Sequence, residues 1–180
     1  MRRTHRLVVL FALTAMLTLG LAGTAQAANP SNISVTVTIQ NLSVSTTGPI
    51  DFGVVTAGSA TVSTVSSTVT NDGNVDETYS LNLTDPAGWA AVQAVPGNEE
   101  YCLSAMFNSA QPLVGDFDYV DHALSTASTS CSGTQFAGDQ TGVTVPSTAT
   151  RDLWFKFEAP SATAVTTQQT IVVTVTAAAA

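Results

Sequence analysis

Apolar and hydroxyl side chains alternate along much of this chain. Ile33-Ser34-Val35-Thr36-Val37-Thr38-Ile39 places four apolar residues on one side and three hydroxyls on the other. A period of two is that of a strand with one buried face. The β-branched residues that supply it suit a pleated surface and crowd a helix. The same pattern runs through Thr170–Thr176, where Ile171, Val173 and Val175 share a face. In Arg151–Glu158, Leu153, Phe155 and Phe157 alternate with Trp154, Lys156 and Glu158. Further strands are predicted over Ile50–Val55, Ala60–Thr70, Glu77–Thr84, Tyr101–Phe107 and Gly142–Val145. Asn71-Asp72-Gly73-Asn74, Asp85-Pro86-Ala87-Gly88 and Pro96-Gly97-Asn98 supply turn residues between them. After residue 27 only Phe117–Thr126 could form a short helix. About eight short strands without helical crossovers predict an all-β, antiparallel two-sheet β-sandwich. Residues 108–141 form a long stretch with no strand pattern, and such loops are usually functional or tied down.

The first 27 residues follow a different rule. Arg2, Arg3 and Arg6 precede an apolar run from Leu7 to Leu21, and Ala25-Gln26-Ala27 has small residues at the two positions an export peptidase reads. The run is about 15 residues, short of the roughly 20 that span a bilayer as a helix. A signal peptide over 1–27 is therefore expected, leaving 28–180 as one exported domain with no transmembrane segment. The destination is the periplasm, the cell surface or the extracellular medium.

Export changes how the two cysteines read. Cys102 and Cys131 both follow the signal, and an oxidising compartment favours a disulfide between them. Closing that loop of about 30 residues would stabilise the fold by roughly 3.5 kcal/mol on the chain-entropy view. With His122 the only histidine beyond the signal, a four-ligand zinc site is not expected.

Charge narrows the partners. All thirteen carboxylates lie after residue 27, against only Arg151 and Lys156, a net charge of −11. Such a surface cannot neutralise a phosphate backbone, so no nucleic acid is expected as a partner. Anionic lipid is disfavoured for the same reason.

Candidate chemistry is sparse. His122 follows Asp121, but no Gly-x-Ser-x-Gly elbow accompanies it. His122 reads as a solvated loop residue, and Glu99-Glu100 as one of many carboxylate pairs in an acidic chain. Asp116, Asp118 and Asp121 crowd three hard oxygen donors into six residues and form the leading calcium candidate. Asp72-Gly73-Asn74-Val75-Asp76-Glu77 opens like a calcium loop but lacks the later glycine and glutamate. Trp154 faces away from Phe155 and Phe157, so it either packs under a loop or stands exposed as a ligand-binding platform for a glycan. No catalytic residue is identified, and no enzyme activity is expected.

Ile50-Asp51-Phe52-Gly53-Val54-Val55, then Gly58-Ser59, then Val69-Thr70-Asn71-Asp72-Gly73-Asn74 resemble exported bacterial Ig-like domains of the ASH (abnormal spindle and hydin) type. Leu153-Trp154-Phe155-Lys156-Phe157 and the Gln168–Thr176 end are similar to those of secreted bacterial surface proteins. The wall-binding Trp-x-Leu motif is absent, because Trp154 is followed by Phe155-Lys156. The resemblance implies an Ig-like sandwich and no catalytic residue. The expected role is a non-enzymatic structural or surface module. Self-association or other surface proteins would be its partners, because 33–39 and 170–176 could pair at a free sheet edge. The alternative is a carbohydrate- or calcium-dependent binding or adhesion module that uses the 108–141 loops.

Overall fold

The computed structural model describes residues 31–180, so the signal peptide expected over 1–27 lies outside the described residues. Residues 31–38 belong to a separate unit from Ile39–Ala180. The strand expected at Ile33–Ile39 is not formed: 31–43 pair with no strand among the described residues, and Ile33, Val35, Val37 and Ile39 are 78 to 88% exposed. Alternation supplies a strand with a face, but its ladder also needs a partner.

Ile39–Ala180 is all-β, with no α-helix and nine strands: β1 (Val44–Thr46), β2 (Ala60–Val62), β3 (Ser67–Asn71), β4 (Glu77–Thr84), β5 (Ala90–Ala91), β6 (Glu100–Phe107), β7 (Thr129–Ser130), β8 (Thr150–Glu158) and β9 (Val172–Ala179). They form two sheets in a sandwich-like arrangement. One has the order β1-β3-β8-β6-β5, with β2 also on β8, and the other the order β7-β4-β9. All pairings are antiparallel except β5 with β6.

Period two builds the core. Tyr101, Leu103, Ala105 and Phe107 of β6 join Leu153, Phe155 and Phe157 of β8 and Tyr79, Leu81 and Leu83 of β4 in one buried cluster. Phe155 and Phe157 sit at 7% exposure and most of the others at 1% or less.

Three expected strands resolve differently. The Ala60–Thr70 strand is split into β2 and β3, which pair successive parts of β8. At the break Ser63 is buried, and its hydroxyl accepts the Phe155 amide at 3.2 Å while its own amide donates to the Phe155 carbonyl. Residues 50–55 form a loop instead, with Gly53 at φ +63° and Phe52 packed 5.6 Å from the Phe157 ring. Residues 142–145 run beside β4 and make a single bridge, Val145 to Glu77. Phe117–Thr126 contains no helix; the one 3-10 turn is Val114–Asp116.

The turn at 71–76 pins the chain that enters β1. The buried Asn71 side chain donates to the Val75 and Val145 carbonyls and accepts the Gly73 amide, each at 2.8 Å. Asn74 reaches across to accept the Asn41 amide and donate to the Ile39 carbonyl, both at 2.8 Å. Gly73 must be glycine here, because a Cβ would lie 2.5 Å from Glu77 Oε1 and 2.6 Å from the Asn41 carbonyl.

The disulfide expected between Cys102 and Cys131 is absent: both are buried free thiols. The reason is strand parity. Tyr101, Leu103 and Ala105 face the core, so Cys102 faces the opposite side of its sheet, beside Ser104 at 3.8 Å. Cys131 follows β7 and points into the core, where it packs with Tyr79 and Phe107. A sheet one residue thick lies between them. Burial raises both thiols, that of Cys131 to about 12. A thiol reagent added to the native, unreduced protein should label neither cysteine, whereas after unfolding without reductant it should count two sulfhydryls. A count of zero would restore the bond.

Candidate functional site

Two surfaces differ from ordinary sandwich exterior: the outer face of the larger sheet, and the free edge of the smaller one.

Strands β6 and β8 are buried on both faces over most of their length. The outward residues Met106, Trp154 and Phe117 form a second apolar cluster. The expected long loop is the layer that covers them. Trp154, the candidate ligand platform, is 9% exposed and its indole N–H donates to the Asn108 carbonyl at 2.9 Å, so it packs under that loop. Lys156 is also buried there. Its ammonium lies 2.6 Å from Glu158 Oε1 and sits 5.7 Å and 5.2 Å from the Phe117 and Tyr119 ring centres. Tyr119 donates its hydroxyl to Glu158 Oε2 at 2.8 Å. The ammonium thus faces a counter-ion and two aromatic rings.

His122 is buried rather than solvated, because residues 122–124 lie along β6: Ala105 donates to the His122 carbonyl and Leu124 to that of Leu103. The Asp118 amide donates to His122 Nδ1 at 3.1 Å, which assigns the ring proton to Nε2 and its bond to the Ala137 carbonyl at 3.2 Å. Its carboxylate neighbour at 3.5 Å is Asp118 rather than Asp121.

The calcium candidates do not converge. Asp116 accepts the Leu113 amide at 2.7 Å, and Asp118 accepts the Asp121 amide at 2.7 Å. Asp121 uses its backbone carbonyl to receive Phe136 N–H and Gln135 Nε2. Among the described residues no group of three His, Cys, Asp or Glu could hold a metal ion. The adjacent acids Glu99 and Glu100 also cap turns. Glu99 accepts the Ala164 amide and Thr163 hydroxyl, which lower its pKa, and Glu100 accepts the Gly97 amide. No aromatic side chain among the described residues is fully exposed.

The second surface is β9. Its inner edge pairs with β4 over eight registers, from Glu77–Ala179 to Thr84–Val172. Its outer edge pairs with nothing among the described residues. The other sheet-end strands β1, β5 and β7 have three, two and two residues. The far edge of β4 is covered by Val145, Gly142 and Ser125 as well as β7. Beside β9 opens an apolar cleft of about 980 Å³, lined among others by Ile50, Phe52, Phe155, Phe157, Val173 and Val175. Val173, Val175 and Ala177 are only half-buried, although they pack against the core. Of the two segments expected to be able to pair at a free edge, the structure places 172–179 at one, and no charge or proline protects it.

The chain matches no family model, no curated protein and no solved structure.

Breaking the buried ion pair should be costly. Lys156→Met leaves the Glu158 carboxylate uncompensated and should lower unfolding free energy by about 3–5 kcal/mol in urea denaturation, whereas Lys156→Met with Glu158→Leu should recover at least half of that. Equal losses in the two variants would remove the pair as the cause.

The tyrosines set an alkaline limit. Burial first, then the Glu77 charge, raises Tyr79 to about 12. Burial and the hydrogen bond to Glu158 raise Tyr119 to about 12, and burial with the Asp85 carboxylate raises Tyr101 further. Below pH 10 all are neutral in both states. Above it the unfolded chain ionises first, so stability falls between pH 10 and about 12, by about 1.4 kcal/mol per pH unit for Tyr79. Spectrophotometric titration should give tyrosinate only near 12 or above in the native protein and near 10 in denaturant.

Proposed function

We propose that this chain is a non-enzymatic, exported structural module of the Ig-like, ASH-type sandwich class, and a subunit of an extracellular or surface assembly. The observation that carries the reading is the outer edge of the eight-residue β9, which β1 approaches but which pairs with no strand among the described residues, beside an apolar cleft. A long, flat, uncharged edge promotes pairing with another chain, and proteins that remain monomers usually blunt it. Every other sheet-end strand here is three residues or shorter, so the exception is confined to one place. Export rests on the pattern of residues 1–27.

Two further features support a structural role. The 108–141 loop covers β6 and β8 through Phe117, Tyr119 and His122. The acids that could have served a ligand instead accept backbone amides within their own turns.

Sedimentation velocity of the purified chain across micromolar to millimolar concentration tests the reading. Concentration-dependent association is expected. A monomer throughout, with no association on raising ionic strength to screen the acidic surface, would contradict it.

A further inference from the structure

We infer that residues 33–39 of one copy supply the strand that the free edge of β9 lacks in a second copy, an inference that rests on the subunit reading above. The donor and acceptor match in pattern. Ile33, Val35, Val37 and Ile39 are exposed on a seven-residue segment that forms no strand pairing among the described residues. Extended, it spans about 23 Å at ~3.3 Å per residue, against about 26 Å for the eight residues of β9. Laid along β9, its four apolar side chains enter the cleft beside Val173 and Val175, over Phe155 and Phe157. Ser34, Thr36 and Thr38 then extend the exposed hydroxyl face made by Thr174 and Thr176.

Charge selects the same two segments. In a chain of net charge −11 after residue 27, residues 28–50 and 159–180 contain no Asp, Glu, Lys, Arg or His. These are the stretches where two acidic copies meet with least repulsion. The occupant is therefore a second copy: one sequence carries the exposed donor and the unpaired acceptor, both uncharged.

The donor is anchored directly behind its last residue. Asn74 holds the Ile39 carbonyl and the Asn41 amide, and the Asp72 amide donates to the Ser43 carbonyl at 2.7 Å. A donated segment is thus tied to its own sandwich at Ile39, with no slack linker. Donor and acceptor are different patches, so the contact is head-to-tail, and each added copy presents a new free edge.

The test uses the purified chain and the variant V35D/V37D, which alters two residues that are each 85% exposed. The variant should keep the melting temperature of the wild type. In sedimentation velocity the wild type should form a ladder of oligomers, and the variant should remain monomeric, its association weakened at least about tenfold. A synthetic peptide with the sequence Ser31–Asn41 should bind the variant one-to-one by calorimetry, whereas the same peptide with Val35→Asp should not. If the variant forms the same oligomers as the wild type, strand donation is wrong while the subunit reading stands. If wild type and variant are both monomeric and the peptide does not bind, both readings fall.

Discussion

Two strands at the centre of the larger sheet are buried on both faces, and much of the structure follows from that constraint. A half-buried strand can turn its polar residues to water, but β6 and β8 cannot. Their inward side chains, Phe107, Leu153 and Phe157 among them, make the core with β4. Their outward side chains need a second cover, which the 108–124 segment provides. Because that cover lies over Lys156, the cation must bring Glu158 with it, and Tyr119 closes the remaining acceptor position. The long loop is thus held against the sheet, stitched by Trp154 to Asn108 and by the 122–124 backbone to β6.

The edges show the same economy with one exception. The outer side of β6 is taken by β5 and residues 122–124, and that of β4 by β7 and residues 142–145. Among the described residues only β9 is a long, regular sheet-end strand whose outer edge pairs with no other strand, although β1 packs against it, and its half-buried valines lie over an open cleft. Closing that cleft would bury apolar surface at roughly 25 cal/mol per Å² and satisfy a row of backbone groups. The acidic surface resists indiscriminate association. On the proposed assembly, confining the uncharged stretches to residues 28–50 and 159–180 makes the same electrostatics a means of selecting where copies meet.

The sequence announces the long strands and hides the short ones. β4, β6, β8 and β9 carry period-two patterns of eight or nine residues, long enough to read. β1, β5 and β7 have two or three residues, and pairing rather than pattern defines them. The break at Ser63 depends on a hydroxyl replacing a backbone acceptor across 92 residues, which no local signal encodes. Parity could have warned against the Cys102–Cys131 bond, since Cys102 alternates with three core residues of its own strand. Phe117, Leu124 and Phe136 lie in the loop without periodicity, so its role as a cover was invisible. Of the candidate site, the apolar face at 33–39 was legible; that it pairs with no strand among the described residues was not, because a partner is a property of the fold.

The most direct measurement is amide hydrogen exchange across residues 172–179 as protein concentration rises. If copies complete one another at β9, the alternate amides on its free edge should exchange at least about tenfold more slowly in the assembled protein than in dilute solution. Exchange of these amides that is unchanged from dilute to concentrated protein would contradict an intermolecular role for this edge.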